Sequence, residues 1–175
     1  IAPTATPTAT PNPELAPEAF LPAILNGEVS QLRNQPQAVD RSWALYMQQG
    51  QWTINGRVFA MNAVAADEIV QLGSQEIWEF DNNAPTGMGM MGMPHPMHIH
   101  GLQFQVVTRI PPTDPTQYNN WLTVKDGYVD NGRKDTVLLM PGEKVQIAIQ
   151  FEDFTGLYLY HCHNLEHEDM GMMRN

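Results

Sequence analysis

The chain has 175 residues, 42% of them hydrophobic and 16% charged, and a net charge of −10. That supplies apolar material for one core, leaves too little charge for a disordered polyelectrolyte, and offers no basic cluster to nucleic acid or an anionic membrane surface. No apolar run approaches the ~18 residues of a membrane span, and the single cysteine, Cys162, excludes both an internal disulfide and a cysteine-only zinc site.

Six of the 14 prolines fall within the first 22 residues. Proline fixes φ and removes a donor, so residues 1–40 read as an extended Pro/Thr/Ala-rich linker joined to something larger. A short helix is expected around Glu18–Leu25. From Arg41 onward the texture is that of one domain, residues 41–175. Short apolar runs (SWALYM, QWTI, RVFAM, EIVQLG, EIWEF) alternate with turn signals, among them Asn55-Gly56, a hairpin dipeptide. Val145, Ile147, Ile149 and Phe151 alternate with polar or small residues, which predicts a half-buried strand. Gly156–Cys162 reads as another. No sustained helical period is visible. Many short strands with Gly/Pro turns predict an all-β sandwich or barrel.

The histidines are not scattered. All six, with the only cysteine, lie in His95-Pro-Met-His98-Ile-His100 and His161-Cys162-His163-Asn-Leu-Glu-His167. Imidazole and thiolate together suit copper or zinc. Side chains alternate across a strand, so His161 and His163 share one face and Cys162 takes the other. His98 and His100 share a face, with His95 at odd spacing from both. Parity therefore proposes two metal sites joined by the backbone around Cys162. One takes Cys162 and His95, with His167 five residues on as a third ligand. The other takes His98, His100, His161 and His163. Two histidines, a cysteine and a long axial methionine make a blue-copper site. Met172 is placed for the axial role, with Met170 and Met173 as competitors.

The motifs HPMHIHG at 95–101 and HCHNLEHEDMGM at 161–172 resemble the C-terminal copper motifs of multicopper oxidases. The look is of the bacterial laccase, spore-coat oxidase and cuprous oxidase type. The resemblance covers about residues 40–173 and implies the third cupredoxin domain, a Greek-key β-sandwich. It implies type 1 copper on His95, Cys162, His167 and Met172. His98 then resembles the type 2 ligand, and His100, His161 and His163 the type 3 ligands. The family's trinuclear cluster uses twice as many cluster histidines as these four. The rest are expected from N-terminal cupredoxin domains, as a separate chain or a cleaved fragment.

The implied activity is one-electron oxidation of a phenol, aromatic amine or Cu(I), coupled to reduction of O₂ to water. Cys162 would serve as electron conduit and Glu168 as proton relay, the alternative for Glu168 being a solvated loop carboxylate. Asp135 is expected to orient a ligand or a strand. Trp52, Trp78, Tyr158 and Tyr160 are read as packing. Met88, Met90, Met91 and Met93 form a Gly-interleaved loop that could gather Cu(I) or simply pack. An extracytoplasmic location, periplasmic or secreted, is implied by the resemblance. The rival readings are a stand-alone blue-copper electron carrier and a Cu(I)-handling protein.

Overall fold

The computed structural model describes residues 35–83 and 92–175. The linker and its Glu18–Leu25 helix lie outside them, as do Met88, Met90 and Met91. Two sheets face each other. The larger has six strands: β1 (Arg41–Gln48), β2 (Gln51–Ile54), β3 (Gln75–Asp81), β5 (Phe104–Ile110), β6 (Arg133–Lys134) and β8 (Lys144–Gln150), in the order β2-β1-β3-β8-β5-β6. The smaller has four: β4 (His95–Ile99), β7 (Thr136–Leu139), β9 (Tyr160–Cys162) and β10 (Met173–Arg174), in the order β10-β9-β4-β7. Trp43, Leu45, Ile54, Phe80, Phe104 and Ile147 from the large sheet meet Met97, Leu139 and Cys162 from the small one in a single core. The all-β expectation is met, and the details differ in instructive ways.

The β1–β2 hairpin turns at Gln49-Gly50, both at positive φ, with Gln48 opposite Gln51. Asn55 and Gly56 also adopt positive φ, but they close only an isolated bridge between Ile54 and Arg57. The RVFAM run is therefore not the second arm of a hairpin. EIVQLG contributes no strand either. It runs from the last residue of a 3-10 turn, Ala66–Glu68, into irregular chain. Strand β8 sits between β3 and β5, and even its polar residues Gln146 and Gln150 are buried: Gln146 accepts from the Gln37 amide at 2.7 Å and donates to Glu79 Oε2 at 2.9 Å. Alternation predicts one wet face, and the chain around Gln37 lies over it at Gln146. Gly156–Cys162 is a strand only from Tyr160. An α-helix, α1 (Pro115–Leu122), was not anticipated. Its signal is local: Asp114 caps the amides of Thr116 and Gln117, and Pro115 takes the first turn, where no donor is needed.

Glu143 anchors the excursion that carries α1. Its fully enclosed carboxylate accepts from Arg109 Nη1 at 3.0 Å, Trp121 Nε1 at 2.9 Å and the Met140 amide at 2.8 Å. A buried carboxylate must be saturated in this way, because an unpaired one would cost several kcal/mol, on the order of 3–5.

Candidate metal centre

The small sheet brings the two motifs side by side. Strands β4 and β9 run antiparallel, with Met97 opposite Cys162 and His98 opposite His161. Along β4, His95, Met97 and Ile99 are buried while Pro96 and His98 are less so, the period of a strand with one inner face. His95 thus shares the inner face with Cys162. His167 comes from α2 (Leu165–Asp169), a short helix whose cap, Asn164 Oδ1, accepts from the Glu166 amide. Gly171, at φ 104°, then turns the chain so that Met172 returns to the core. A Cβ there would press on Val58 at 3.0 Å. The Met172 carbonyl accepts from the Cys162 amide at 3.0 Å, and its amide donates to the His167 carbonyl at 2.9 Å.

Three donor atoms converge. Cys162 Sγ lies 3.5 Å from His95 Nδ1 and 3.4 Å from His167 Nδ1, and the two nitrogens are 3.1 Å apart. A point equidistant from all three lies about 1.9 Å from each, close to the bond lengths of about 2.0–2.3 Å that imidazole and thiolate make to a borderline metal. His95, His167, Cys162 and Met172 are all buried. Of the three methionines after His167, Met170 is 41% exposed, Met173 is half-buried and Met172 is fully buried. Burial, with His167 adding, drives His95 down to about 3, and burial lowers His167 as well. Burial pushes the Cys162 thiol up to about 11. Both imidazoles are therefore neutral and ready to bind, whereas the thiolate needs a metal's positive charge to form.

The second donor set lies across the strand. His98, His100 and His161 each present a nitrogen within 4.8 Å of the others, and His100 Nε2 is 3.0 Å from His161 Nε2. His163 stands at the exposed rim, its ring 5.3 Å from that of His161 and 5.4 Å from that of His98. The far nitrogens of two rings are held. His98 Nδ1 contacts the Asp135 carbonyl oxygen at 2.9 Å and Thr136 Oγ1 at 3.0 Å, and His161 Nδ1 lies 3.0 Å from the Cys162 carbonyl. Such contacts fix a ring's orientation and leave Nε2 for a metal. Asp135 reaches His98 through its backbone, while its carboxylate is 62% exposed. Burial lowers His100 too, with His161 next in effect.

Glu168 is half-buried, with Oε2 3.6 Å from His161 Nδ1. Trp78 and Tyr160 pack together and against Trp43. Tyr158 lies against Gly101. Trp52 packs against two of the donor rings. Its ring centre lies 4.1 Å from that of His167 and 5.2 Å from that of His95. Met93, the described member of the methionine loop, is 43% exposed.

The sandwich and its two donor sets define a copper-binding, cupredoxin-like domain. Comparison with known proteins makes this specific: the chain belongs to the multicopper oxidase family, whose sequence profile matches residues 32–175. It is 35% identical over 156 residues to a multicopper oxidase of Staphylococcus aureus, covering 89% of this chain and 31% of that protein. It is 40% identical over 125 residues to a laccase of Haloferax volcanii, covering 69% of this chain and 18% of that one. The crystal structure of the multicopper oxidase McoA of Aquifex aeolicus superposes with a TM-score of 0.54 at 32% identity, over 81% of this chain and 30% of that one. The chain thus spans about a third or less of the length of these relatives.

Proposed function

We propose that this chain supplies the type 1 copper centre and half of the trinuclear-cluster ligands of a laccase-like multicopper oxidase. In this reading residues 41–175 are its copper-bearing cupredoxin domain. The observation that carries it is the convergence of His95, Cys162 and His167 on one side of the β4–β9 pair with four histidines on the other. Copper, when bound, supplies one-electron redox chemistry at the first site and reduction of O₂ to water at the second.

The residues prepare those sites. His95 and His167 hold neutral nitrogens in a dry pocket with Cys162, and the buried thioether of Met172 would be the further ligand to copper. Cys162 lies covalently between His161 and His163, so it is the shortest bonded route from one donor set to the other. The Asp135 and Cys162 carbonyls orient His98 and His161. Glu168, beside His161, is placed to hold and pass protons toward the second site. N-terminal cupredoxin domains supply the remaining histidines. Support for them is the length of the relatives and the incomplete second set. Phenols, aromatic amines or Cu(I) are the proposed reductants, on the strength of the resemblance. The proposed location, periplasmic or secreted, rests on the resemblance.

A stand-alone electron carrier would use His95, Cys162, His167 and Met172 but would leave His98, His100, His161 and His163 without a task. Copper counting and O₂ stoichiometry separate the readings. The enzyme, with its accompanying domains, should hold about four coppers and consume one O₂ per four electrons. One copper and no O₂ consumption would establish the carrier. The methionine loop is proposed to favour Cu(I) as reductant. With Met88, Met90, Met91 and Met93 all changed to Leu, Cu(I) oxidation should fall and phenol oxidation persist, and unchanged Cu(I) kinetics would reduce the loop to packing.

A further inference from the structure

The strand that follows Met172 is short. Strand β10 is two residues long and pairs with β9 alone, Met173 opposite His161 and Arg174 opposite Tyr160. Residues 172 and 174 share the inner face, and both are buried. Met172 itself is tied by its backbone to Cys162 and His167, and the residues that follow it are held by the side chain of Arg174. Its guanidinium grips Glu68 with two parallel bonds, Nε to Oε1 at 2.5 Å and Nη2 to Oε2 at 2.7 Å, and donates from Nη1 to the Val58 carbonyl at 2.7 Å. The Arg174 side chain is 5% exposed and that of Glu68 fully enclosed. Glu68 also accepts from the Tyr160 hydroxyl at 3.2 Å and the Ala65 amide at 2.6 Å. The 57–68 segment is thereby drawn over the Met172 turn, where the Phe59 amide donates to the Gly171 carbonyl at 3.0 Å.

Burying two charges is expensive, and an apolar pair of similar volume would serve stability as well or better. The return on such a pair lies in fixing geometry, and an arginine fork fixes it in two directions at once. We infer that Arg174 is a positioning residue for the copper centre: its pair with Glu68 sets where Met172 stands relative to Cys162. Tyr160, the residue before His161, donates to the same carboxylate, so the clamp spans β9 and β10. The inference rests on the metal-centre reading above. It adds that axial geometry is set from outside the ligand motif, by a contact 106 residues apart in sequence.

The test uses the copper-loaded protein and reads the midpoint potential and electron paramagnetic resonance spectrum of the blue centre. Arg174→Lys keeps the charge and removes the fork. It should shift the potential in the same direction as Met172→Leu, and it should shift nothing further when Met172 is already Leu. Glu68→Gln, which keeps the shape of the acceptor, should reproduce the effect and decides the matter if the lysine variant does not fold. Arg41→Lys makes the same chemical change at the Arg41–Glu76 pair, between β1 and β3, and should lower Tm while leaving the potential alone. Unchanged potential and spectrum in both clamp variants, with only Tm reduced, would overturn the inference. So would a shift that persists undiminished in the Met172→Leu background. A parent protein with no blue centre would overturn the metal-centre reading, and the inference with it.

Discussion

Removing copper should turn the buried histidines into a pH liability. In the metal-free protein His95 is 1% exposed, and burial, with His167 adding, moves it from an ordinary 6.5 to about 3. Below pH 6.5 the unfolded chain takes up a proton that folded His95 refuses. The unfolded state therefore binds more protons, and stability falls as pH falls, down to about 3. The slope is about 1.4 kcal/mol per pH unit for one such group, which gives a loss of about 2 kcal/mol between pH 8 and pH 5. At a urea slope of roughly 2 kcal/mol/M, the unfolding midpoint should drop by about 1 M. His100 and His167 are lowered too and act in the same direction. The ion-paired carboxylates Asp67, Glu68 and Glu76 lie below their ordinary values and titrate beneath this window. The assay is urea unfolding of the chelator-treated protein at both pH values, with His95→Gln alongside. A parent midpoint that stays constant, or a His95→Gln variant with the parent's full slope, would refute the reasoning.

Met172→Leu should preserve the blue colour and raise the potential of the centre, since removing a weak thioether donor destabilises Cu(II) more than Cu(I). Voltammetry checks it, and a shift produced by Met170→Leu instead would move the axial assignment. Glu168→Gln should slow reoxidation by O₂ severalfold while sparing reduction of the blue centre, because the amide keeps the size of the side chain but relays no proton. Stopped-flow traces with equal reoxidation rates would return Glu168 to the solvent.

Parity carried the sequence reading a long way because β4 and β9 are regular where the ligands sit. In HPMHI one residue in two faces inward, so His95 and His98 part company as period-2 alternation requires. The same rule says less about His163, which follows the end of β9 and lies at the rim. What covers a face is not legible: Gln146 reads as solvent-facing, yet it is buried beneath Gln37 and beside Glu79. The Asp114-Pro115 signal for α1 is local, and an eight-residue helix carries no long helical period to accompany it. Glu68 with Arg174 and Glu143 with Arg109 could not be read at all. Nothing in either neighbourhood marks a pair joined across 106 or 34 residues. Trp52, likewise, sits in an ordinary strand, and only the folded chain lays it against His167.

The central claim is that Cys162 is the thiolate joining two copper sites. Optical and paramagnetic resonance spectra of the copper-loaded protein and of its Cys162→Ser variant test it most directly. A hydroxyl cannot replace the soft thiolate, so the intense blue band and its narrow hyperfine pattern should be present in the parent and absent from the variant, with circular dichroism unchanged. A blue band that survives the substitution would contradict the account.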